Sequence, residues 1–215
     1  MRLFALNVLL VAAGYGTMNA ILPVFIRNDI GLGAAWIGGV FVCNMLAVVI
    51  LQLPVAHLLE GRRRMPAIAL QGVLWGFAWL LVFVSGFASP TARAGLVIAL
   101  AATVFGLGEA LSGALQRPLF ADLAPAGLLG HYTALFDTSL RLGLTLGPAL
   151  GGIVFTQTRE AYWRVAAAVC LAAGLATWAL EPAVPVASRR TPQRPADALR
   201  SPARRIQARS GPRTP

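Results

Sequence analysis

Glu109, Asp137 and Arg141 lie inside long apolar runs of this 215-residue chain, where their charges set them apart. A lone charge at the centre of a bilayer costs at least ~2.5 to 3.5 kcal/mol on insertion scales, so such side chains face protein, water or one another. No basic residue stands four positions to either side of Glu109. A carboxyl group in a medium that penalises its charged form takes up and releases a proton, which makes Glu109 the candidate for proton coupling. Its plainer readings are a carboxylate satisfied by Arg141 of the next helix or one wetted from the inner side. Asp137 and Arg141 are four residues apart, a spacing that predicts an ion pair on one helical face. In a moving protein the same pair would contact substrate or exchange partners.

Asn19, beside Pro23, and Asn44 are candidates for a polar cavity lining, although asparagine in a membrane also serves to join helices. Tyr15, Phe25 and Phe41 are further lining candidates, with ordinary packing as the alternative. Cys43 and Cys170 sit in apolar runs without metal-ligand spacing, so no metal or cofactor is implied.

The elements that must position these residues are six apolar segments: 3–26, 36–59, 66–88, 94–119, 132–156 and 163–180. Each is long enough to cross a hydrocarbon core of ~30 Å as a helix rising ~1.5 Å per residue. Gly31 to Gly33, Glu60 to Pro66, Ser89-Pro90, Pro125 to Gly130 and Gln157 to Glu160 separate them. The first segment, preceded by Arg2 and followed by small residues at Ala12 to Gly16, also has the layout of a signal peptide. Its apolar character runs on to Ile26, beyond an ordinary signal-peptide core.

Hydrophobic residues make up 57% of the chain and charged residues 12%. A soluble domain carries about 25% charge, so the composition predicts an all-α polytopic membrane protein. The formal charge of +10 comes from arginine alone. Arg2, Arg62, Arg63, Arg64, Arg117 and the tail arginines fall on one side of six spans, and Arg27, Arg93, Arg159 and Arg164 on the other. By the positive-inside bias both termini are cytoplasmic, in a bacterial plasma membrane. That placement also argues against nucleic acid as a partner. Residues 183–215, rich in Pro, Ala, Ser and Arg, are expected to form a disordered tail beyond a membrane domain at 1–182. The tail would touch anionic lipid or merely enforce topology.

The fifth segment contains Gly143, Gly147, Pro148, Gly151 and Gly152 in a G-x-x-x-G-P-x-x-G-G pattern. Spacing of four lines up Gly143, Gly147 and Gly151 as a smooth flank for another backbone, and Pro148 bends the helix. The chain here resembles the drug/proton antiporters of the major facilitator superfamily, which carry this motif on the fifth helix of a half. The family's basic loop motif, G-x-x-x-D-R-x-G-R-R, survives only as Gly61, Arg62 and Arg63. The missing Asp-Arg pair, Asn44, Gln52-Leu53-Pro54, Gly108-Glu109 and the stretches 121–125 and 130–132 look like a carboxy-terminal half. The resemblance implies a 3+3 inverted repeat, export of an apolar or cationic small molecule against protons, and a second six-helix half, as a separate chain or a self-dimer, against the glycine flank.

Two other classes compete. A noncatalytic membrane scaffold, or a nonfunctional remnant, needs only spans, a packing groove and a basic tail. An intramembrane serine protease would need Ser112 near His57 or His131, but both histidines fall at helix ends while Ser112 lies deeper.

Overall fold

The computed structural model describes residues 1–88 and 91–192. The Ser89-Pro90 turn and the tail arginines beyond residue 192 lie outside the described residues. Six helices are long and apolar enough to span a membrane: α1 (Arg2–Asn28), α2 (Ala34–Leu58), α3 (Arg64–Ser85), α4 (Thr91–Asp122), α5 (Leu129–Gln157) and α6 (Arg159–Ala179). The chain is the all-α, six-span bundle that its apolar segments predict, with boundaries displaced by a few residues. No β-strand is formed among the described residues. Continuous helix satisfies the backbone where no water is present.

The first segment is structural. Leu10, Val11, Met18, Ile21 and Leu22 of α1 are buried in the bundle. Its central stretch, Ala12–Ile21, is wound as a π-helix. The wider turn leaves Tyr15, Thr17 and Asn19 on a locally irregular segment, a device found often at functional positions.

Glycine and tryptophan set the helix spacing. A methyl group on Gly147 would meet the Ala12 carbonyl oxygen at 2.5 Å, and one on Gly16 would meet the Gly147 Cα at 2.8 Å. Thus α1 and α5 cross backbone to backbone, and the flank at Gly143, Gly147 and Gly151 is filled from inside the same bundle. Val11 covers Gly143 and Tyr162 of α6 covers Gly151, whereas Gly152 faces open space. This corrects the expectation that the flank awaits another bundle: close packing is its use, but the helix packed there is the chain's own first span.

Trp75 and Trp79 of α3 are fully buried, as is Cys170. Trp75 lies between Gly14 and Gly108, stacks on Phe105 at 4.5 Å and donates its indole N–H to the Phe105 carbonyl at 3.1 Å. Both tryptophans are packing residues.

Which surface meets lipid follows from what is exposed. On α3 the exposed side chains within the span are Leu70, Val73, Phe77, Leu80 and Val84, and on α6 they include Val165, Leu175 and Trp178. Apart from Arg164 of α6, whose guanidinium lies over the Phe83 ring of α3 at 5.4 Å, the exposed polar side chains well inside the spans fall elsewhere: Asn19 on α1, Gln52 on α2, Thr103 and Arg117 on α4, and Thr138, Arg141 and Thr145 on α5. Hydrocarbon tolerates the first set and penalises the second, so the exposed apolar side chains of α3 and α6 suit contact with lipid.

Both ends of the described chain meet at one end of the bundle, where Met1, Arg2 and Leu3 lie beside Leu180, Ala183 and Val184. Residues 183–192 pack there, contrary to the expectation of a structureless tail from 183. Val184 and Ser188 are buried, the Arg64 amide donates to the Arg189 carbonyl at 2.8 Å, and the Thr191 amide donates to the Arg62 carbonyl at 3.0 Å.

Candidate functional site

Glu109 sits partway along α4, half-buried, beside the ring cluster formed by Trp75, Phe105 and Tyr15. Asn44 of α2 reaches it because Gly106 lets the two helices approach: a methyl group on Gly106 would stand 2.7 Å from the Asn44 carbonyl oxygen. The Asn44 amide Nδ2 donates to Glu109 Oε2 at 2.6 Å and points also to the Ala102 carbonyl at 3.4 Å. Tyr15 packs edge-on against Trp75 at 4.9 Å, and its hydroxyl approaches Glu109 and Ser112.

Three helices therefore converge on one carboxyl group through neutral donors. No arginine pairs with Glu109 among the described residues, and Arg141 in particular does not. An unpaired carboxyl group with hydrogen-bond partners that tolerate either protonation state can pass a proton without rebuilding its surroundings.

Asn44 is buried and bonded across helices, so it positions Glu109 and does not line a cavity, which corrects that expectation. Asn19 is exposed on α1, its amide turned back to the Tyr15 carbonyl at 2.8 Å.

The expected ion pair between Asp137 and Arg141 is not formed. Arg117 of α4 takes Asp137 instead, Nη2 to Oδ1 at 2.7 Å, with its guanidinium 5.5 Å from the centre of the Phe136 ring. Tertiary approach of α4 supplies Asp137 with a cation that also stacks on an aromatic ring, and this outcompetes the local spacing. Arg141 is left exposed, without a partner among the described residues.

At the end of the bundle that holds the termini, the basic motif is tied down residue by residue. Gly61 adopts φ +70°, the left-handed turn that suits glycine. Arg63 forks onto Glu181, Nε to Oε1 at 2.7 Å and Nη2 to Oε2 at 2.6 Å, a bidentate match of planar groups. Arg62 is exposed and contributes its carbonyl to Thr191. Arg64, which the motif as read from sequence leaves out, is the buried member: it is 1% exposed and holds Asp122 at 2.6 Å, with Nε and Nη1 unpaired.

Sequence reasoning also passed over Tyr15 as a partner of Glu109, along with Glu181 and Asp122. No local signal marks them, because each meets its partner from a different helix. Ser112 lies by Tyr15, whereas His57 pairs with Glu60 at a helix end and His131 is exposed near the start of α5, and no hydrogen bond joins Ser112 to either histidine among the described residues.

Six helices long and apolar enough to cross a membrane, gathered in one bundle, are the architecture of a polytopic membrane protein. The sequence matches the Major Facilitator Superfamily over residues 4–213, and the chain belongs to that family. Its general function is transport of a small molecule across a membrane, and it is a multi-pass membrane protein. No curated protein matches the chain.

Proposed function

We propose that the chain is one six-helix half of a proton-coupled efflux transporter, with Glu109 as the group that carries the proton. The observation behind this reading is the Glu109 carboxyl group itself, held by Asn44 and Tyr15 of two other helices and free of any ion pair among the described residues. The glycine-proline pattern of α5, shared with antiporters, supports outward transport.

A second six-helix bundle, as a separate chain or a second copy, completes the path. It covers the exposed apolar side chains of α2 and α5, such as Met45, Val49, Leu53, Leu146 and Leu150. Both termini are cytoplasmic, since Arg2, Arg62, Arg63, Arg64, Arg189 and Arg190 gather at their end of the bundle. Labelling of single cysteines placed at positions 61 and 127 from the cytoplasm, and at position 31 from outside, tests the orientation.

The functional test is flux in proteoliposomes containing the chain and any partner bundle that purifies with it. A lipophilic cation and an aromatic carboxylate serve as probes, under an imposed pH gradient. Glu109→Gln is expected to reduce gradient-driven accumulation about tenfold or more while exchange without a gradient continues, since a general acid–base group contributes on the order of 10²-fold. Undiminished gradient-driven transport by Glu109→Gln removes that residue from the coupling role. A scaffold reading gains ground if the reconstituted protein binds a partner bundle yet moves neither probe.

A further inference from the structure

The buried face of α5 follows Phe136, Ser139, Gly143, Gly147 and Gly151. Directly opposite runs an exposed row of Ala134, Thr138, Arg141, Thr145 and Ala149. The row itself contains no large apolar residue, although exposed Leu142, Leu144 and Leu146 border it, whereas the exposed faces of α3 and α6, Arg164 apart, are built from Ala, Leu, Val, Phe and Trp. A small, polar row centred on an arginine suits contact with water or a polar solute better than with hydrocarbon.

The charges well inside α4 and α5 nearly cancel. Arg117 and Asp137 neutralise each other at 2.7 Å. Glu109 has neutral partners and is discharged whenever it holds its proton. Arg141 remains: four residues beyond Asp137, it lies ~6 Å further into the bundle, and Glu109 stands ~12 Å beyond Arg117 on α4, from a rise of ~1.5 Å per residue. The free guanidinium and the proton-carrying carboxyl group are thus about one helical turn apart in depth, on neighbouring helices. The Thr145 hydroxyl donates back to the Arg141 carbonyl at 2.9 Å, and Thr138 stands one turn before Arg141 on the same exposed row. A guanidinium presents a planar fork of donors that fits carboxylate or sulfonate oxygens.

We propose that Arg141 is the substrate-binding residue of this row and that the substrate is an organic anion carrying a single carboxylate or sulfonate group, in place of the cationic or apolar cargo that the drug-antiporter resemblance suggests. The inference rests on the transporter reading above, but binding can be measured apart from proton coupling. One unpaired positive charge in the row calls for one negative charge on the ligand.

The test is equilibrium binding to the purified full chain, with any co-purifying bundle, followed by thermal shift and tryptophan fluorescence. The probes are aromatic and aliphatic monocarboxylates, dicarboxylates, sulfonates and tetraphenylphosphonium. Saturable binding of monoanions is expected, weakened tenfold or more in Arg141→Gln and largely restored in Arg141→Lys, with Gly152→Ala binding as the parent does. Because Arg141 is exposed, neither variant should disturb folding, and unchanged melting without ligand verifies this. The proposal is overturned if no anion binds, if anions bind Arg141→Gln as well as the parent, or if tetraphenylphosphonium alone binds. A carboxylate of the partner bundle found paired with Arg141 would overturn it too. Anion binding that depends on Arg141, together with undiminished gradient-driven transport by Glu109→Gln, would sink the coupling role and leave this proposal standing.

Discussion

Gly16 of α1 and Gly147 of α5 meet so closely that a methyl group on the first would fall 2.8 Å from the Cα of the second. Immediately after Gly147, Pro148 turns its ring toward the same spot, 3.2 Å from where that methyl group would lie. The motif is therefore a helix-crossing device within the bundle, and it fixes where α1, and with it Tyr15, stands relative to α4.

Substitution along the motif should separate its members. Gly147→Ala forces a Cβ to 2.5 Å from a backbone carbonyl that cannot easily move, and overpacking of this kind costs roughly 1 to 3 kcal/mol. Gly152→Ala meets nothing within 4 Å and should be neutral within about 0.5 kcal/mol. Thermal unfolding of the two variants in the same detergent checks this. Equal melting temperatures would contradict the crossing.

The two asparagines should behave differently. Asn44→Leu removes the 2.6 Å donor to Glu109 and should lower stability by about 0.6 to 1.7 kcal/mol, the range for hydrogen bonds between membrane helices, while diminishing gradient-driven flux. Asn19→Leu loses only a bond to its own helix and should melt with the parent. Melting curves and flux assays on both variants decide it.

At the other charged cluster, the order of sensitivity should run against intuition. Asp122→Asn leaves the Arg64 guanidinium buried without its counter-charge, and breaking such a pair on one side costs about 3 to 5 kcal/mol. Arg64→Met fills the same space and leaves an Asp122 carboxylate that is 45% exposed and can be hydrated, so it should cost less. A larger loss of melting temperature for Arg64→Met than for Asp122→Asn would refute this account.

Deletion of the chain end should show where the folded unit stops. Removing residues 183–215 should lower the melting temperature and open the 60–64 loop to protease, because it strips away buried Val184 and the backbone bonds from Arg64 to Arg189 and from Thr191 to Arg62. Limited proteolysis with mass spectrometry reads both effects.

The amino-acid sequence alone determined that this chain threads a membrane six times, since hydrocarbon admits only apolar helices and the apolar runs are countable by eye. It also picked out Glu109, because a carboxyl group stands out against such runs. The glycine pattern announced a tight crossing. Tertiary structure decided which helix takes part in that crossing, that Asn44 serves Glu109 and lines no path, that Asp137 belongs to Arg117, and that residues 183–192 fold back onto the basic loop. These are matters of helix rotation, tilt and approach. Hydropathy and periodicity are properties of one segment at a time, whereas a hydrogen bond or ion pair between helices depends on the orientation of two, which no single segment specifies.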